Sequence, residues 1–211
     1  QMLYMVNSEQ LLHGEAGGEN LGVELRTKSF AFSCSDDAVL NNTFFIEYEI
    51  INKGQQNFDS FFVGQWINFN LGYPDDDYIG SDSALGCFYV YNSDSFDEGQ
   101  YLDQLPVVSC YPLDRHLGNF SSYLNEHVTN GVPRRRNFSD YFTYLSGSIR
   151  GGDQFMYDGN PFTGQGSSMA KSQESPGNKM AIGAVGPLTF KSGDTLRSTW
   201  AITFHRSPSG K

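Results

Sequence analysis

Three aspartates stand side by side at Asp75-Asp76-Asp77. Adjacent carboxylates repel one another unless water solvates them or a cation neutralises them. Asn68, Asn70 and Asp82 add further oxygen donors, and Gly72 and Gly80 let the backbone wrap tightly. Carboxylate, amide and carbonyl oxygens at this density are the ligands calcium takes. The spacing is not that of an EF-hand, because no D-x-D-x-D-G run with a distal Glu is present. Two readings of Asn68 to Asp82 follow. One is a calcium site with Asp75, Asp76, Asp77, Asp82, Asn68 and Asn70 as ligands; the other is a solvated acidic turn.

The acidity of the chain is regional. Its formal net charge is -10, and its pI is near 4.7. From Gly54 to Asp114 there is no Lys or Arg, while Asp59, Asp75, Asp76, Asp77, Asp82, Asp94, Asp97, Glu98, Asp103 and Asp114 all fall there. A surface of this sign repels a phosphate backbone, so a nucleic-acid partner is not expected, nor is an anionic lipid surface. No stretch is long and apolar enough to predict insertion into a membrane as a helix.

Other chemistry finds little support in the residues. His13, His116, His127 and His205 are scattered, and no G-x-S-x-G elbow occurs. Cys34, Cys87 and Cys110 lack the C-x-x-C spacing of a zinc site, leaving one disulfide with an odd thiol or three free thiols. A carboxylate pair for glycoside hydrolysis would be set by tertiary geometry, which makes a hydrolase the least favoured reading and catalysis not expected. Trp66, Tyr78 and Tyr91, with Tyr89 and Tyr101 nearby, have the faces to stack on pyranose rings. Packing in a strand core is the alternative use of the same rings. A carbohydrate-binding module is therefore the second functional reading, with glycans as its partners.

The elements that would carry these residues read as strands and turns. Aromatic residues make up 15% of the chain and Gly numbers 23, a bias towards strand and turn and away from long helices. Alternation predicts strands over 21–32, 43–52, 58–70, 85–91, 107–111, 188–190 and 196–204. In the second of these, Phe45, Glu47 and Glu49 share one face, and Phe44, Ile46, Tyr48 and Ile50 the other. Residues 72–82 and 92–103 read as acidic loops, and 151–173 as a Gly/Ser-rich loop. Tyr141, Tyr144 and Leu145 fall at helical spacing. The expected fold is all-β: an antiparallel two-sheet sandwich, jelly-roll or Ig-like, with long loops and a short, partly helical insertion around 115–150. Residues 1–20 form an N-terminal segment, 21–206 the module, and 207–211 the start of a linker. With Gln1 first, any signal peptide is expected to be absent or already removed.

Taken in order, several of these segments resemble a domain of the large surface proteins that Bacteroidota export by the type IX secretion system. They include Leu21-Gly-Val-Glu-Leu25, Tyr48-Glu-Ile-Ile-Asn-Lys-Gly54, Val63-Gly-Gln-Trp66, Asp76-Asp-Tyr-Ile-Gly-Ser-Asp82, Tyr91-Asn-Ser-Asp-Ser-Phe-Asp-Glu-Gly99 and Gly186-Pro-Leu-Thr-Phe-Lys-Ser-Gly-Asp194. The resemblance covers most of residues 20–205. It implies a secreted, cell-surface setting and a structural or adhesive module within a longer chain. Neighbouring domains of that chain or other surface proteins would be its partners, and no enzymatic activity is implied. Asp76, Asp77 and Asp82 match the family pattern, whereas Asn68, Asn70 and Tyr73 stand where the family carries acids. Amide oxygens still ligate calcium, with less charge.

Overall fold

The computed structural model describes residues 2–9, 19–124, 138–148, 153–161 and 163–206. Along the chain run β1 (Met2–Ser8), β2 (Val23–Ala31), α1 (Ala38–Asn41), β3 (Thr43–Asn52), β4 (Phe58–Asn68), a 3-10 turn (Pro74–Asp76), β5 (Asp77–Asp82), β6 (Cys87–Asn92), β7 (Pro106–Pro112) and β8 (Asn119–Leu124). They are followed by α2 (Phe138–Leu145), β9 (Gly159–Asn160), β10 (Gln165–Gly166), α3 (Met169–Ser172), β11 (Lys179–Phe190) and β12 (Thr195–Arg206).

Ten of the strands form two antiparallel sheets packed face to face. The larger has the order β1-β2-β3-β12-β7-β6-β5, and the smaller is β4-β11-β8. The last two long strands, β11 and β12, are thus interior in their respective sheets. The fold is the expected all-β sandwich with a few short helices.

Strand periodicity explains which faces meet. Ile50 points inward to pack with Val63 and Phe190, and Tyr48 lies against that cluster. The alternate residues of β3 face out and meet bases across the ladder. Glu47 pairs with Lys28 at 2.6 Å, and Glu49 bridges Arg26 at 3.0 Å and Arg197 at 2.9 Å. The main core lies between the sheets, where Phe88, Phe120, Ile79, Val90 and Trp200 are fully buried. Phe88 and Phe120 stack across the sheets at 5.1 Å. Gly183 makes room for that stack, since a Cβ there would lie 2.3 Å from the Phe88 ring.

Three elements differ from expectation. Residues 77–82, read as loop, form β5, because Asp77, Ile79 and Ser81 point into the core while Tyr78, Gly80 and Asp82 point out. Turn-forming residue types hid this alternation. β11 begins at Lys179, well before the expected 188, because Met180 to Val185 is buried on both faces and shows no polar alternation. The insertion around 115–150 opens with strand β8 before reaching helix α2. The three cysteines are free thiols. The Arg134–Arg136 run and His127 lie outside the described residues, as do His13 and the final segment 207–211.

The two ends of the large sheet contrast. The outer edge of β5 is occupied by later chain: the Ser81 N–H donates to the Tyr157 carbonyl at 3.2 Å, and the Gly177 N–H to the Asp77 carbonyl at 3.0 Å. At the other end, every residue of β1 is exposed, including Met2, Leu3, Tyr4, Met5 and Val6.

Candidate cation site

Asp77 starts β5, and its inward direction follows from strand alternation. That direction places a carboxylate in the core with no exposed surface. One oxygen, Oδ2, accepts from the Leu71 N–H at 3.0 Å. The other, Oδ1, has no hydrogen-bond partner. Asp76 ends the 3-10 turn and is also buried, and neither of its carboxylate oxygens meets a partner of acceptable geometry. Three carboxylate oxygens on consecutive residues are thus buried and unsatisfied. Leaving such groups without compensation costs several kcal/mol or forces protonation.

The electrostatics agree with the geometry. Burial pushes the Asp77 carboxyl up to about 8, with the Leu71 N–H opposing and Asp76 and Asp97 adding to the shift. Burial likewise pushes Asp76 up to about 6; the nearby Asn92 amide opposes this, while Glu98 and Asp97 reinforce it. The strongest charged influences on both groups are other acids, so positive charge is what the corner lacks.

A second loop, missed as part of the site from sequence, completes this corner. Asn92 lies directly across the β5–β6 ladder from Asp77, and the Ser93 N–H donates to the Asp76 carbonyl at 2.8 Å. Asp97 then anchors the two loops together. Its Oδ1 accepts from the N–H groups of Tyr73 at 2.7 Å and Gly99 at 2.9 Å, and its Oδ2 from Gln100 at 3.1 Å and Tyr101 at 2.7 Å. Burial pushes the Asp97 carboxyl up, but these four donors outweigh it and its pKa is lowered overall. Asp97 is therefore a charged, fully used anchor, and Asp76 and Asp77 are the acids with oxygens to spare.

The remaining residues singled out from sequence lie elsewhere. Asp82 sits at the opposite end of β5 from Asp77, and its Oδ1 accepts from the Leu85 N–H at 2.9 Å, closing the β5–β6 turn. Asp75 and Asn70 are exposed. Asn68 shares the outward side of β4 with Trp66, two residues before it, away from inward-facing Gln65 and Val63. Its Oδ1 is buried and unpartnered, though alternation turns it from the acidic corner. The expected six-residue ligand set therefore contracts to Asp76 and Asp77. Among the described residues, no three His, Cys, Asp or Glu side chains are arranged to hold a metal ion by themselves. Any cation here would draw on two carboxylates plus amide and backbone oxygens, a mixture that suits calcium better than zinc.

The aromatic candidates divide between two surfaces. Tyr78 and Tyr91 are cross-strand partners with ring centroids 5.9 Å apart, and Tyr89 lies 5.8 Å from Tyr91. All three line the outer side of the seven-stranded sheet. Trp66 is exposed on the outer side of the other sheet. Trp66, Tyr78 and Tyr91 do not form one platform.

No protein-family model matches this chain, and no curated protein matches it.

Proposed function

We propose that this chain is a structural or adhesive module of a larger, exported bacterial surface protein, stabilised by calcium bound at Asp76 and Asp77. The observation that carries the reading is the pair of buried carboxylates with three oxygens left unsatisfied and only acids for charged company. A divalent cation removes both penalties at once: it neutralises the charge and occupies the free oxygens. Asp76 and Asp77 would supply the charge, and Asn92 and Glu98 stand beside them. When bound, calcium would lock the loop before β5 to the loop after β6, which Asp97 already aligns. The extracellular setting and the module role rest on the sequence resemblance, and millimolar extracellular calcium suits a weak site of few carboxylates.

Thermal melting with millimolar calcium against chelator tests the reading. A melting temperature raised by calcium and lowered by chelator is the expected result. No difference between the two would overturn it.

A further inference from the structure

The outer face of the seven-stranded sheet holds a second polar feature, built on β2, β3 and β12. Register sets Arg26, Glu49 and Arg197 in one row across these three strands. They form the floor of an open depression of about 570 Å³. The loop after β7 forms its wall and adds Asp114 and Arg115. That loop is pinned to β12: the Leu113 N–H donates to the Thr199 carbonyl at 2.7 Å, and the Thr199 N–H donates to Asp114 Oδ2 at 3.2 Å.

Arg115 is the group without an internal task. Arg26 engages Glu24 at 2.7 Å and Glu49 at 3.0 Å, and Arg197 engages Glu49, whereas the Arg115 guanidinium meets no carboxylate or other acceptor among the described residues. Arg26 and Arg197 are thus held in ion pairs with Glu24 and Glu49, and Arg115 is the one guanidinium of the lining outside an ion pair among the described residues, on a chain whose net charge is -10. No aromatic ring lines the depression among the described residues.

We propose that this depression binds a small hydroxylated monocarboxylate, of the type of a uronic acid. A planar guanidinium on a pinned loop suits a carboxylate fork. A single unpaired guanidinium matches one carboxylate and leaves a phosphate dianion undercompensated. Glu49 and Asp114 offer acceptors for hydroxyl groups beside it. The volume falls in the range of small-ligand sites, about 300–1,000 Å³. The lack of a stacking ring removes the usual hold on a neutral sugar, so the charge must carry the recognition.

Titration of the whole chain with glucuronate, followed by NMR shifts of the Arg115, Thr195 and Arg197 amides, tests this. Saturable binding of about millimolar affinity is expected, with glucose giving none. Arg115→Gln should weaken it roughly tenfold or more. Its melting temperature should stay unchanged, because Arg115 has no partner to lose among the described residues. Three results would each overturn the proposal: no saturable shift by ~50 mM glucuronate, unchanged affinity in the Arg115→Gln variant, or inorganic phosphate binding as tightly as glucuronate.

Discussion

The carboxylate of Asp97 lies directly against the α-carbon of Gly72: a Cβ built on Gly72 would sit 2.0 Å from Asp97 Oδ2. Gly72 also has φ +66, the left-handed region that side chains resist. On the other side, a Cβ on Gly99 would approach the Gly72 backbone at 2.6 Å. The two acidic loops therefore interlock through two glycines and one carboxylate. Gly72→Ala should destabilise the fold by about 2–4 kcal/mol, combining backbone strain with displacement of a buried acceptor. Urea unfolding gives the value, and a loss under ~0.5 kcal/mol would mean that the interlock carries no weight.

Asp97→Ala leaves four backbone N–H groups without their acceptor. A loss of about 2–4 kcal/mol is expected, while Asp97→Asn, which keeps one oxygen, should lose less. The lowered pKa of Asp97 sets the sign of its pH effect. Its contribution is present above the unfolded value of a carboxyl group and disappears as pH falls through the folded value. Acid unfolding of the two variants against the parent chain measures this.

Asp77 works in the opposite direction. Its carboxyl is raised from 3.8 to about 8, so between those values the folded chain keeps a proton that the unfolded chain has released. Stability in cation-free buffer should then fall as pH rises through that window, and level off above it. Asp77→Asn should flatten the slope and, near pH 8 without calcium, gain ~1–3 kcal/mol, since the amide oxygen can still accept from Leu71. Chemical denaturation across the pH range decides; a parent chain whose stability climbs steadily from pH 4 to pH 8 would contradict the assignment.

Calcium bound as proposed would have to displace that proton, which makes its affinity pH-dependent. Binding should tighten from pH 6 to pH 8 and release protons, visible by calorimetry in buffers of different ionisation enthalpy. Asp77→Asn and Asp76→Asn should abolish the response. Asp82→Asn should leave it intact, because Asp82 closes a turn at the far end of β5. A calcium response lost in Asp82→Asn but kept in Asp77→Asn would move the site.

The strands whose two faces differ were legible in the amino-acid sequence. β3 reads correctly to the residue because Glu47 and Glu49 alternate with Ile46, Tyr48 and Ile50. β11 was not, because Met180 to Val185 is buried on both sides and alternation carries no signal there. The acidic corner was legible as a composition, and Asp76 and Asp77 stand at its centre. Its other half was hidden: Asn92 and Asp97 arrive through the β5–β6 hairpin, and β5 itself was masked by Gly, Ser and Asp in a strand. The separation of Asp82 was hidden for the same reason, since a six-residue strand carries it roughly 17 Å from Asp77, at ~3.3 Å per residue. In a loop the two would have been neighbours.

The strand order has a consequence for the chain while it is being made. β12 lies between β3 and β7, and β11 lies between β4 and β8. Each sheet is thus held together by the strand that comes last in chain order among its members. Until those two strands emerge, β3 has no link to β7 and β4 none to β8, and no two-sheet core can close. The module must then close in a single late event with long-range contacts, once β11 and β12 are available. Until then the strands before β11 stay open and threadable, the state in which a polypeptide can be handed through a narrow pore.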